Sequence, residues 1–355
     1  MSKKVKIGLI GAGNIANTHL DSYRHVPDAE IYAICDINAD RLKETADKYG
    51  IERRFDSVDA MLAAVGNELD AADVCVWNCN HASCAIKALD AGLNVLCEKP
   101  MAYNTEQAIQ MKEAAERNGK LLMIGFVLRF ADGTKIAKDF VDNGYVGDIY
   151  YARAQYIRRH GAPGGWFCDK EKSGGGPVID LGVHVIDQTR FLMGKPMPVS
   201  VFATVQTKLG KRDDLKTDVG WKPKDAKDSD PCTTEDFGSA LIRFDNGATV
   251  LLETTYSLNG PDEGRKQLFG TKGGLDLTDG VKLYTECNKF LADVNIHTAN
   301  YKNSGDMFVE EMAHFVDCVA NGTECRATAE DGIIVMKILD AIYESGRTGH
   351  EVIIK

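Results

Sequence analysis

The sequence predicts an α/β chain with two parts. A doubly wound parallel sheet comes first, and an α+β region with a large, mostly antiparallel open sheet follows. Three observations carry this reading. Short apolar runs alternate regularly with helical stretches from residue 5 to about residue 125, as in a parallel sheet covered on both faces. A glycine-rich turn, Gly11-Ala12-Gly13-Asn14-Ile15-Ala16, follows the first of those runs directly. After residue 125 the pattern shifts to strand-like segments joined by turn signals, with few helices. At 355 residues the chain exceeds one ordinary domain, so residues 1–125 and 126–355 are expected to form two, the last helix and strand packing back on the first.

The elements follow in order. Residues 5–10 form a first strand, 14–26 a helix, 30–36 a second strand and 39–49 a second helix. A strand at 72–77 leads into a helix at 81–91. The run Asn94-Val95-Leu96-Cys97 then forms a strand that delivers Glu98-Lys99-Pro100. A helix at 105–118 and a strand at 121–125 complete the first region. Beyond it, 150–157, 199–208, 237–244, 249–256 and 267–269 read as strands, with Asp245-Asn246-Gly247 as a turn signal between two of them. Helices at 306–320 and 327–344 and a strand at 351–354 close the chain. Residues 208–236 are rich in Lys and Asp and poor in aliphatics. They read as a solvated excursion that Trp221 pins in place.

Composition narrows the function classes. The chain is 44% hydrophobic and 26% charged, with a formal net charge of −10. That balance argues against nucleic acid or an anionic membrane as partner. No apolar run approaches the ~20 residues needed to span a bilayer, and residues 1–10 lack the features of a signal peptide, so a cytoplasmic protein is expected. Ten cysteines form no CxxC pair, and Cys318 and Cys325 are separated by six residues. Buried thiols in a reducing compartment account for them, and no metal is expected.

The glycine turn points to a dinucleotide. Gly11 permits the tight turn, Gly13 lets backbone approach a pyrophosphate, and Ala16 lets the helix pack close to the strand. The N–H groups around Asn14 and Ile15, at the helix start, would receive the phosphate. Asp36 ends the second strand twenty residues after Ala16, where a carboxylate binds the ribose hydroxyls of NAD and repels the 2′-phosphate of NADP. Arg41 could soften that repulsion or stack on adenine. NAD is therefore favoured over NADP. Lys99, at the carboxyl end of a buried parallel strand, stands near the reacting end of such a cofactor, which suggests an oxidoreductase.

A second signature is Gly174-Gly175-Gly176-Pro177-Val178-Ile179-Asp180-Leu181-Gly182-Val183-His184. Glycines and a proline lead into a helix on which Asp180 and His184 stand four apart, on one face. Histidine exchanges protons near neutral pH, and a carboxylate beside it stabilises its charged form. A metal there would need a third ligand such as His160 or His297, and the spacing requests none. Arg158, Arg159, His160, Trp166 and Asp169 occupy a Gly/Pro-rich loop just upstream. They suit sugar contacts, although a solvated charge cluster explains Arg158 and Arg159 equally well.

These motifs, in this order, resemble the Gfo/Idh/MocA oxidoreductases, the family of glucose–fructose oxidoreductase and inositol dehydrogenase. The resemblance spans essentially the whole chain, including Asn78-x-x-His81 and the closing Ala341-Ile342-Tyr343-Glu344-Ser345. It implies a Rossmann domain, then a domain whose open sheet supports homodimers or homotetramers. It also implies NAD(P) as hydride carrier and sugars or cyclic polyols as substrates. Lys99, Asp180 and His184 align with the family's catalytic positions. Asn78, His81 and Glu98 are expected near the cofactor, and Arg129, His160 and Trp166 at the substrate. Lys99-Pro100 resembles the family's often cis peptide. Trp77 replaces the usual proline before Asn78, and Val127 a frequent asparagine in Gly125-Phe-x-x-Arg-Phe130, so substrate contacts there differ from the family's pattern. The expected reaction moves a hydride between nicotinamide and a ring secondary alcohol, with His184 or Lys99 as base. Two alternatives remain: glycoside cleavage by transient oxidation and elimination on retained NAD, and an NAD-sensing regulator without turnover.

Overall fold

The computed structural model describes residues 4–216, 222–224, 226, 227, 229–262, 264–297, 301 and 305–355. Trp221, expected to pin the excursion, lies outside them. The chain divides into two units. One comprises Met1–Phe130 with Gly305–Ile333, the other Ala131–Ser304 with Ile334–Lys355.

In the first unit, β1 (Val5–Ile10), β2 (Ala29–Cys35), β3 (Arg54–Phe55), β4 (Ala71–Val74), β5 (Asn94–Glu98) and β6 (Leu122–Gly125) form one sheet. Every pairing in it is parallel, in the order β3-β2-β1-β4-β5-β6. Ile7, Leu9, Ile34, Val74, Val95 and Leu96 are wholly buried, which is why their strands read as continuous apolar runs rather than alternating ones. The intervening helices are α1 (Asn14–Tyr23), α2 (Ala39–Tyr49), α3 (Val58–Val65), α4 (His81–Asp90) and α5 (Thr105–Asn118). Asn38, Ser57 and Asn104 cap α2, α3 and α5 by accepting the N–H of Arg41, Ala60 and Gln107, satisfying donors that the first turn leaves unpaired. The strand order reverses between β1 and β4. In sheets of this kind that reversal places the ligand crevice outside the carboxyl ends of those two strands.

The second unit opens with α6 (Asp132–Asp142), a helix absent from the sequence reading, followed by β7 (Ile149–Ile157). The short α7 (Lys170–Ser173) and α8 (Val183–Leu192) precede β8 (Pro198–Gln206), β9 (Phe237–Phe244), β10 (Thr249–Thr255) and β11 (Lys266–Gly270). Next come β12 (Gly274–Asp276), β13 (Lys282–Cys287) and β14 (Phe290–Asn295). The nine-stranded sheet runs β14-β13-β12-β11-β7-β10-β9-β8-β15, the last strand being β15 (Val352–Ile353). Only β7 and β10 pair in parallel; all other neighbours are antiparallel. Along β9, buried Ala240, Ile242 and Phe244 alternate with exposed Leu241 and Arg243, the signature of a sheet packed on one face.

The chain then returns to the first unit with α9 (Met307–Asn321), whose start Asp306 caps by accepting the N–H of Phe308 and Val309 at 2.9 and 3.2 Å. This helix packs on α1 and on the turn Val127–Phe130. The helix α10 (Ala329–Thr348) is divided between the units at Ile333. Against the expectation that the last strand packs back on the first domain, β15 (Val352–Ile353) extends the second sheet. Its two residues pair with Val201 and Ser200 of β8. Ser345 fixes that corner, accepting the Ala203 N–H at 2.8 Å and donating to the His350 carbonyl at 2.7 Å.

Candidate active site

The glycine turn has the geometry that a dinucleotide requires. Gly11 sits at φ +100°, and a Cβ there would meet the Cys75 carbonyl oxygen at 2.5 Å, so only glycine fits. Gly13 is the reverse: nothing lies within 4 Å of an added Cβ. That open space is where a pyrophosphate would approach, and a side chain would fill it. Helix α1 begins at Asn14, with no side chain capping its start, which leaves its first N–H groups for a phosphate. Ala16 is wholly buried, as close packing of α1 on the sheet demands. Asp36 closes the turn from the other side. Its Oδ2 accepts the Ala12 N–H at 2.8 Å, and its Oδ1 the Asn38 N–H at 2.7 Å. Each oxygen keeps a lone pair for a ribose hydroxyl. Arg41 is half-buried in the first turn of α2. These residues fit NAD. Asp36→Ala is expected to weaken NAD far more than NADP in a fluorescence titration, and equal losses for both would count against the assignment.

At the end of β5 the Lys99-Pro100 peptide is cis, and Lys99 is half-buried. The residues around it are turned inward. Glu98 is 5% exposed. Its Oε2 accepts the Lys99 N–H at 2.9 Å, and its Oε1 meets His19 Nε2 at 3.1 Å. The other ring nitrogen of His19 faces Asp73 Oδ2 at 2.9 Å. Burial alone would pull the His19 pKa down, but Asp73 and its other neighbours outweigh it and raise the pKa well above the ordinary value. A protonated His19 would donate to both carboxylates. His81, 1% exposed, lies between the Pro100 and Val76 carbonyls at 2.7 and 3.1 Å, and burial pushes its pKa down. Glu98 and His81, read as cofactor contacts, both sit below the surface and brace the backbone around the Lys99-Pro100 peptide. Asn78 is likewise buried, at the start of the turn Asn78–Asn80.

In the second unit Gly175 and Gly176 approach other chain segments closely. A Cβ on Gly175 would strike Tyr343 Oη at 1.9 Å, and one on Gly176 the Glu235 carbonyl oxygen at 2.1 Å. Glu235 Oε1 accepts the N–H of Gly176 and Val178 at 2.9 and 3.2 Å and the Tyr343 hydroxyl at 2.8 Å. Burial raises the carboxyl's pKa. This clamp feeds the chain into a turn of π-helix, Val178–Gly182, before α8 begins at Val183. Such wide turns recur at functional sites. Asp180 lies within it and His184 follows in α8, both half-buried. Asp180 Oδ2 accepts the hydroxyl of wholly buried Tyr256 at 2.8 Å, and Arg158 lies within electrostatic reach of the same carboxylate. Sequence reasoning missed Tyr256, Glu235 and Tyr343 as parts of this site. Of the three, only Tyr343 lay in a motif it had singled out.

The remaining expected substrate contacts divide. Trp166 is half-buried and tilted against Phe167, with ring centroids 4.0 Å apart. His160 pairs with Asp262 at 2.9 Å, both side chains substantially exposed. Arg129, also expected at the substrate, is enclosed by protein. It is 2% exposed, its Nη1 bonds Asp331 at 2.8 Å and the Arg326 carbonyl, and it lies over the Phe126 ring. A guanidinium so enclosed ties the return segment to the first sheet.

Residues 5–126 match the model of the oxidoreductase family with an NAD-binding Rossmann fold, and residues 134–276 match the C-terminal domain model of the same family. The chain is 34% identical over 363 aligned residues to D-glucoside 3-dehydrogenase of Escherichia coli strain K12, covering 99% of this chain and 98% of that protein. It is 27% identical to myo-inositol 2-dehydrogenase of Thermotoga maritima, covering 92% of each. Its fold matches the crystal structure of an NAD binding oxidoreductase from Klebsiella pneumoniae with a TM-score of 0.84, 25% identity and 99% of each chain covered. The chain thus belongs to the Gfo/Idh/MocA family of NAD-binding oxidoreductases.

Proposed function

We propose that the protein is an NAD-dependent dehydrogenase that oxidises a ring secondary alcohol of a glycoside, sugar or cyclic polyol, with Lys99, Asp180 and His184 as its catalytic residues. The observation that carries this reading is full-length similarity to a glucoside 3-dehydrogenase, in a chain that has a lysine after the buried strand β5 and an Asp-xxx-His pair on the π-turn into α8. The glycine turn, the start of α1 and Asp36 would hold NAD, which would supply the hydride acceptor for the carbinol carbon. His184 takes the hydroxyl proton, the Asp180 carboxylate stabilises the imidazolium, and the Tyr256 hydroxyl holds that carboxylate in place. Lys99 donates a hydrogen bond to the developing alkoxide. Trp166 and His160, from the loop before the glycine clamp, contact the sugar.

Two further parts of the proposal concern setting. Ten cysteines without a disulfide suit a reducing cytoplasm. Among the described residues no helix is long and apolar enough to cross a membrane. The solvent face of the second sheet carries Phe202, 55% exposed, paired in register with Leu241, 43% exposed, and Leu241 in turn pairs with Leu251. An apolar stripe of this kind suits a homodimer or homotetramer, and a monomeric mass by sedimentation would refute that part. Purified protein with NAD, screened against glucosides, glucose and inositols, is expected to form NADH with at least one. No NADH with any, together with cleavage of a glycoside, would favour the oxidation–elimination reading.

A further inference from the structure

We propose that His314, Cys318 and Cys325 form a binding site for a thiophilic divalent cation, Zn²⁺ foremost, at the carboxyl end of α9. The three side chains offer Nε2 and two Sγ atoms that all lie within 4.8 Å of one another. Zn–S bonds of about 2.3 Å and Zn–N bonds of about 2.0–2.1 Å, arranged tetrahedrally, set ligand atoms about 3.5–3.8 Å apart. His314 Nε2 and Cys318 Sγ already stand at 3.4 Å. Closing the set requires ligand shifts of at most about 1 Å, within the reach of a thiol rotation.

The chain builds this arrangement from two local features. His314 and Cys318 are one turn apart on α9, so their side chains share a face. Gly322, at φ +70°, ends the helix and turns the chain back so that Cys325 meets that face. The loop is held there independently of any metal. The Ala327 carbonyl accepts the Ile124 N–H at 2.9 Å, and the Arg326 carbonyl accepts from Arg129. The His314 ring rests against Phe130, with centroids 5.4 Å apart.

The protonation chemistry suits a metal. Arg326 donates its backbone N–H to His314 Nε2 at 3.0 Å. A peptide N–H can only donate, so Nε2 carries the lone pair and the proton sits on Nδ1. A bound cation replaces the Arg326 N–H as partner of the Nε2 lone pair. Each thiol loses its proton as its sulfur binds, so one M²⁺ and two S–H groups give one bis-thiolate complex and two H⁺. The two thiolates neutralise the cation, and Asp317 and Arg326, the other charged groups beside the cluster, offset each other. Cys318 is buried while His314 and Cys325 are half-buried, which leaves a path from solvent and a fourth position for water. Sequence spacing hid the site because its third ligand lies across a helix end, seven positions beyond the second.

The test uses the full-length protein, reduced and metal-stripped, titrated with Co²⁺ and then with Zn²⁺. One equivalent of Co²⁺ is expected to produce a thiolate-to-metal charge-transfer band, which Zn²⁺ then removes. Cys325→Ser is expected to abolish the band and to weaken Zn²⁺ binding by at least about 10-fold to 100-fold. With two protons released per ion, apparent affinity should rise up to 100-fold per pH unit below the thiol pKa values. Zn²⁺ should also raise the melting temperature of the parent protein but not of Cys325→Ser. The absence of a thiolate band would overturn the proposal, as would a band that survives in both Cys318→Ala and Cys325→Ser. Should Cys318→Ala fail to fold, the half-buried Cys325 and His314→Gln carry the same comparison.

Discussion

Replacing His184 with alanine lowers kcat/KM for the alcohol substrate by about 10²- to 10⁴-fold and leaves the dissociation constant for NAD unchanged. The imidazole is proposed to take the hydroxyl proton as the carbon gives up hydride. Without it, that proton must leave to water or to a less suitable group. Cofactor binding is unaffected because the residues that fit NAD all lie in the first unit: the glycine turn after β1, the start of α1 and Asp36 after β2. A pH–rate profile identifies the base. The parent enzyme should lose activity as falling pH protonates the imidazole, and the variant should lack that limb. A limb unchanged in His184→Ala would make Lys99 the base. Wild-type turnover in the variant would remove His184 from the mechanism.

Replacing His19 with alanine is expected to destabilise the protein by about 3–5 kcal/mol, the usual consequence of removing one partner from a buried charge pair. His19 and Asp73 are wholly buried, and Glu98 is 5% exposed. Glu311, on α9, brings a further carboxylate oxygen within 4.8 Å of the His19 and Glu98 atoms. In the variant, acidic groups would face one another without their cation. The pH dependence follows from the raised pKa of His19. A group whose folded pKa lies above its unfolded value of about 6.5 contributes fully below that value and loses its contribution as pH rises through the folded pKa. The gap between parent and variant in urea unfolding should thus be widest near about pH 6 and should narrow at alkaline pH. Because Glu98 also accepts the Lys99 N–H, His19→Ala should further reduce kcat beyond any loss of folded protein. A variant as stable as the parent at about pH 6 would show that the imidazolium is not what holds this cluster.

Legibility in the sequence followed the range of the physics. The first sheet was readable because buried parallel strands appear as unbroken apolar runs and their helices carry local caps such as Asn38, Ser57 and Asn104. Gly11 and Asp36 were readable because a turn and a strand end fix their spacing. The hairpin of β13 and β14 was not. Its turn uses Asn288 and Lys289 at φ +50° and +67° without a glycine. Its strands are largely exposed, with Leu291 at 95%, so no apolar alternation marks them. Tyr256, Glu235 and Tyr343 were missed for another reason. Each reaches its partner across at least 57 positions, and a lone tyrosine or glutamate carries no spacing signal. The same limit applies to Arg129: the family resemblance suggested a substrate contact, and only Asp331, 202 positions away, shows the ion pair it makes. The π-turn bearing Asp180 was read as ordinary helix because its residues have no distinct pattern.

The central claim is that Lys99 and His184 act on one alcohol as a single unit. It is tested most directly by kcat/KM at saturating NAD for the parent, Lys99→Met, His184→Ala and the double variant, on whichever glycoside or polyol yields NADH. Each single variant should lose most of the activity and the double variant little more, the non-additivity expected of groups serving one transition state. Losses that simply multiply, or full activity in either single variant, would contradict it.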